Sequence, residues 1–353
     1  MSSQGTQRLQ VLDALRGIAA MAVVLFHFTL HREGYDHIFR FGTTGVDLFF
    51  IISGFVIFMS LQKISSVKEF IVNRFCRLFP AYWMGVLFSF AIISIHFHYS
   101  AKYPILEPVQ TLFANLTMFQ YYLGYADLEG PYWTMNIEML FYIVMAILFG
   151  MRQLKNILWI GGVACIMLGI AALYVDQIGW LKEIFMKVPL LYHFPLFFAG
   201  IIFYSMYRGE NSGGKLFFGL ALAFTAQMAL FPHTWRACKH MSQTEYFFVL
   251  TIFFVTFYAF TRGKLQFICN RITLFLGKIS YPLYLTHQYL SINLLIPYFM
   301  WKHNLTLPQA ALGVALPASL LVATFIHYVG EKSLSSWFKQ KLTSALLKPH
   351  KAN

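Results

Sequence analysis

The sequence predicts an all-α, polytopic transmembrane bundle of about ten helices, on three observations. Charge is scarce: 12% of the 353 residues are Asp, Glu, Lys or Arg against 58% apolar, and the mean hydropathy is +0.59. A soluble domain carries about a quarter charged residues, and here the deficit runs along the whole chain. Second, apolar runs recur at 13–31, 45–62, 79–99, 135–151, 156–175, 189–207, 215–232, 246–261, 279–299 and 310–330. Each is near the roughly 20 residues a helix needs to cross a bilayer. Third, with the N-terminus inside, 19 of the 27 Lys and Arg residues fall on cytoplasmic segments, as the positive-inside rule requires. That bias explains the net charge of +13 without a nucleic-acid partner. The expectation is a multi-pass cell-membrane protein of a bacterial inner membrane with both termini cytoplasmic. One domain is expected over 1–335 and a basic cytoplasmic tail over 336–353.

Ionisable groups inside spans are costly unless paired or hydrated, so each needs a reason. In the first run, LDALRGIAAMAVVLFHF, Arg16 and His27 stand eleven residues apart. At 100° per residue they share a face to within about 20°, about 16 Å apart along the axis. Asp13 lies one turn before Arg16 on that stripe, and Gly17, Ala20 and Val24 keep the rest of it small. The run is not a cleaved leader, because it holds Arg16 and His27 and a second run follows at once.

The second run, GVDLFFIISGF, puts Asp47 at its outer end. Between runs two and three, NRFCRLFPAYW places Arg74 and Arg77 one turn apart at the cytoplasmic boundary, where they anchor topology or meet an anionic ligand. The long outer loop, about 100 to 134, is rich in aromatics ending in Tyr132 and Trp133. They form either an interfacial belt or a stacking surface for an amphipathic acceptor. The fourth run opens PYWTMNIEMLFY, with Glu138 at the depth of His27 and Asp47. The ninth, GKISYPLYLTHQYLSI, aligns Ser280, Tyr284, His287 and Ser291 on one face, and Tyr284 and His287 are assigned with the arginines to the donor side. Cys76, Cys165, Cys238 and Cys269 are scattered, with neither a disulfide framework nor metal-ligand spacing. These residues describe a polar interior with a basic cytoplasmic mouth. They do not by themselves separate an enzyme from a proton-coupled transporter or flippase of a small amphipathic metabolite.

The motifs LDALRGIAAMAVVLFH, GVDLFFIISGFVI, RFCRLFPAYW, WTMNIEMLFYI and GKISYPLYLTH, in this order, resemble the membrane-bound acyltransferase-3 family. The resemblance implies O-acylation: an acyl group, commonly acetyl from acetyl-CoA, passes to a hydroxyl of an extracytoplasmic glycan or glycolipid. It implies acyl-CoA as donor, membrane lipids as surroundings and no metal, and leaves a homo-oligomer open. It maps the family's Arg–His pair onto Arg16 and His27, its Arg-x-x-Arg onto Arg74 and Arg77, and its acid onto Glu138. Many members carry a second acid next, where this chain has Met139. The expected roles are His27 as base, Glu138 or Asp47 orienting it, Arg16, Arg74 and Arg77 on the CoA, and Tyr132 and Trp133 on the acceptor.

Overall fold

In lipid every backbone N–H and C=O must bond within its own segment, so apolar runs of this length become helices. The computed structural model describes residues 3–100, 106–209, 213–234 and 237–346. Residues 101–105 of the long loop and 347–353 of the expected tail lie outside them. Among the described residues there is no strand, and eight helices are long and apolar enough to cross a membrane.

In chain order the helices are α1 (Ser3–Thr29), α2 (Gly45–Leu61), α3 (Val67–Ser100), α4 (Leu106–Leu116), α5 (Trp133–Gly150), α6 (Ile157–Ala172), α7 (Gly179–Lys187), α8 (Phe194–Tyr207) and α9 (Gly213–Leu230). There follow α10 (Gln243–Thr261), α11 (Arg271–Thr286), α12 (Ile296–His303), α13 (Leu307–Ala310), α14 (Leu316–Ile326) and α15 (Ser335–Leu346).

Two of the ten expected runs are not single long helices. The run 189–207 gives the shorter apolar helix α8, preceded by a 3-10 turn at Pro189–Tyr192. The run 279–299 breaks at His287, and the chain continues as a π-helix over Tyr289–Leu295 before α12. Pro282, inside α11, already lacks a backbone donor there. Further π-helical stretches, Ala311–Ala315 and His327–Leu334, flank α14. The expected tail begins as a helix, α15.

By packing the chain divides into two compact units. The first comprises Met1–Phe26, His31–Ile64 and Leu140–Gly277. In it α2 lies along α8 with backbones in contact. A Cβ on Gly54 would sit 2.0 Å from the Phe197 carbonyl oxygen, and one on Gly200 2.1 Å from that of Ile51. Phe197 stacks between Phe50 and Phe141, with ring centroids 4.8 and 4.2 Å away. Asp47, buried near the start of α2, accepts the Tyr246 hydroxyl at 2.9 Å. The start of α10 is fixed by a capping box between Ser242 and Glu245.

The second unit comprises His27–Leu30, Ser65–Met139 and Lys278–Asn353. There α15 and the π-helical stretch 327–334 pack on α3. The loop between α4 and α5 is pinned by buried Asn115. Its amide donates to the Thr111 and Ala126 carbonyls at 2.8 and 2.9 Å and accepts the Leu128 N–H at 3.1 Å.

Candidate active site

The site is built at the break in the second unit. A helix that stops in mid-run leaves carbonyls on one side and N–H groups on the other without helical partners. On the carbonyl side the fully buried imidazole of His287 turns back, its Nδ1 3.0 Å from both the Leu283 and the Tyr284 oxygens. A carbonyl only accepts, so Nδ1 carries the proton and the Nε2 of the neutral ring is an acceptor. That Nε2 lies 3.0 Å from Nδ1 of His27, near the end of α1. His27 Nδ1 must then be the donor, which puts the lone pair of a neutral His27 on Nε2. The backbone thus dictates the tautomer of one imidazole, and that imidazole dictates the tautomer of the next. The result is a basic nitrogen on a half-buried ring.

On the N–H side the partner is an acid. Glu129, 2% exposed, accepts the Tyr289 N–H and the Ser89 hydroxyl, each at 2.9 Å. A carboxyl group at the start of a helical segment complements its unsatisfied donors. Tyr284, one turn before His287, donates its hydroxyl to Thr134 Oγ1 at 3.0 Å, and Thr134 donates to the Pro131 carbonyl at 2.9 Å. These bonds tie α11 to the first turn of α5; Trp133 in that turn and Glu138 in the next are half-buried. Tyr132 is fully buried with its ring 5.0 Å from that of Tyr82, so it does not share the exposure of Tyr121 and Tyr122.

A second polar cluster in this unit gathers on α3. Arg77 is ion-paired with Glu331, whose other oxygen takes His327 Nδ1 at 2.6 Å. The Arg74 guanidinium sits 5.8 Å from the centre of the Phe70 ring. Among the described residues no group of three or more His, Cys, Asp or Glu side chains is placed to hold a metal ion.

The family model described as "Acyltransferase domain" matches residues 9–328. The chain belongs to the acyltransferase-3 family. It is an acyltransferase and a helical membrane protein. It is similar to the O-acetyl transferase of Shigella phage Sf6, at 27% identity over 64% of this chain and 63% of that protein. It is similar to the exopolysaccharide production protein ExoZ of Rhizobium meliloti, at 34% over 35% of this chain and 38% of that one. To the peptidoglycan O-acetyltransferase OatA of Listeria monocytogenes it is 27% identical over 41% of this chain and 25% of that one. The chain thus spans less than two thirds of the length of each of these relatives. No solved structure matches it.

Within this acyltransferase, the structure brings His27 and His287 together and ties Tyr284 beside them to the start of α5. Asp47 and Arg16 belong to the first unit. Glu138 or Asp47 is expected to orient the His27 imidazole, and the structure adds a hydrogen bond from its Nδ1 to His287. His287, expected on the donor side, thus holds the His27 ring in one tautomer. Glu129, Ser89, His327 and Glu331 were missed. Glu129 lies in the long loop and Glu331 just past the last apolar run, so neither stands out in the sequence. The available signal was scarcity: the chain has only 14 Asp and Glu residues, and two of them are buried here.

Proposed function

We propose that this acyltransferase is an O-acyltransferase that carries an acyl group, acetyl by preference, from cytoplasmic acyl-CoA to a hydroxyl of an extracytoplasmic glycan or glycolipid. The observation that carries it is the His27–His287 pair at 3.0 Å, locked by the broken helix so that a basic imidazole nitrogen is presented at membrane depth. The relatives, an O-acetyl transferase, an exopolysaccharide production protein and a peptidoglycan O-acetyltransferase, support acetyl and glycan. The excess of basic residues on alternate loops supports cytoplasmic termini.

In this mechanism Arg74 and Arg77 take the phosphates of CoA, where charge-assisted hydrogen bonds are strong. A guanidinium has five N–H donors, and Arg77 is 41% exposed in its side chain, within reach of a phosphate at the surface. The His27 imidazole takes the proton of the acceptor hydroxyl as its oxygen attacks the thioester carbonyl. The C–S bond breaks from the tetrahedral intermediate, and the proton passes from His27 to the departing CoA sulfur. Tyr284 and Glu129 hold the break in place, Trp133 offers the acceptor an indole face, and Glu138 lies on the same helix for acceptor hydroxyls.

The test is His27→Asn and His27→Ala in purified protein, scored by mass spectrometry of acceptor glycan. Asn keeps a donor near the Nδ1 position for His287 but takes up no proton at working pH. Both variants lose transfer by about 10²–10⁴-fold, while CoA affinity is kept. Substantial transfer by His27→Asn rules out the base assignment.

A further inference from the structure

Arg77 does not reach its position by its own rotamer preference. Arginine loses about as much side-chain entropy on ordering as any residue, and Arg77 is held by an acid from 254 positions away in the chain. Glu331 is 2% exposed in its side chain, and its two oxygens are divided between Arg77 and His327. It stands in the π-helical stretch His327–Leu334, and such wide turns recur at functional sites. The stretch is pressed onto α3 at Gly330. There a Cβ would lie 2.9 Å from the Met84 sulfur and 3.0 Å from the Ala81 Cα. The Ser335 hydroxyl donates to the Gly330 carbonyl at 3.1 Å, and the Tyr281 hydroxyl donates to the Leu78 carbonyl at 3.2 Å. The acid is thus carried on a fixed backbone, with His327 on one side of its carboxylate and Arg77 on the other. Arg77 bridges this buried group and the surface.

We propose that Glu331 is a positioning residue for donor binding: it fixes the half-exposed Arg77 side chain in place, so that the guanidinium meets a phosphate of CoA already ordered. The inference rests on the donor reading above. A merely structural ion pair makes no distinction between donors with and without the nucleotide phosphates, and this role does. Ordering a side chain in advance improves affinity without touching the chemical step, so the effect falls on KM and spares kcat.

The experiment compares acetyl-CoA with S-acetylpantetheine, which has the same thioester arm and no phosphate, in purified Glu331→Gln, Glu331→Asp and Arg77→Ala proteins. The amide keeps the shape of the carboxylate but not its charge, so Glu331→Gln raises KM for acetyl-CoA about ten-fold or more. It leaves kcat and the S-acetylpantetheine KM close to wild type. Glu331→Asp keeps the charge one methylene short and falls between. If Glu331→Gln does not fold, Glu331→Asp carries the same comparison. Equal losses with both donors, or no change with either, overturn the proposal. If Arg77→Ala leaves the acetyl-CoA KM unchanged, the donor reading itself fails. If Arg77→Ala raises it and neither Glu331 variant does, only the positioning role fails.

Discussion

His287 has two jobs that two different amides separate. Its Nδ1–H closes the Leu283 and Tyr284 carbonyls, each 3.0 Å away, and its Nε2 accepts from His27. In His287→Asn the side-chain NH2 falls near the Nδ1 position and keeps the carbonyls bonded, with nothing at Nε2. In His287→Gln the side-chain oxygen reaches towards the Nε2 position and can accept from His27, while the carbonyls lose their donor. Leu283 and Tyr284 are 0% and 6% exposed, so water does not replace it cheaply. Leaving a buried carbonyl unsatisfied costs about 1–3 kcal/mol. The expected outcome is crossed. His287→Asn melts close to wild type but loses transfer by up to about 10⁴-fold, the scale on which a wrong imidazole tautomer slows a serine protease. His287→Gln melts several degrees lower and keeps more of the activity. Thermal melting in detergent and glycan O-acylation by mass spectrometry read the two effects separately. An active His287→Asn protein refutes the tautomer argument. So does a pair of variants that lose stability and activity in parallel.

Tyr246→Phe removes the donor to buried Asp47 and should cost about 1–3 kcal/mol. A double-mutant cycle with Asp47→Asn measures the coupling, and additive effects show that the contact contributes nothing. Gly200→Ala puts a methyl group 2.1 Å from the Ile51 carbonyl oxygen. Backbone cannot yield as a side-chain end can, so little folded protein should survive size-exclusion chromatography; a normal yield contradicts the close crossing. For topology, an impermeant maleimide applied to intact cells should label Lys302→Cys and spare Lys341→Cys, both exposed positions. Labelling of Lys341→Cys removes the cytoplasmic C-terminus.

What was legible in the sequence was what depends on local pattern. Apolar runs with few charges became helices because lipid leaves the backbone no other partner, and Arg16, His27, Arg74 and Arg77 lie on helices as their spacing requires. The break at His287 was not legible, since hydropathy runs straight through 279–299 and Pro282 alone does not say where a helix opens. Nor were the long-range pairs. Glu129 meets Tyr289 across 160 positions, and Arg77 meets Glu331 across 254. Periodicity carries no information about which distant acid a given group will find. Asp47 shows the same limit: depth along a helix was readable, but its partner Tyr246, 199 residues on, was not.

The length of α3 has a consequence of its own. Its 34 residues make a rod of about 51 Å, while a hydrocarbon core of about 30 Å takes up only roughly 39 Å of helix even at a steep tilt of about 40°. About 12 Å or more must stand clear of the acyl chains, and the charged end, with Lys68, Glu69, Arg74 and Arg77, is the part suited to water. Thinning or thickening of the surrounding lipid changes the rod's lean and shifts that end sideways. No loop separates Arg74 and Arg77 from the span, but Pro80 removes a rung of the helix between them and the rest of it.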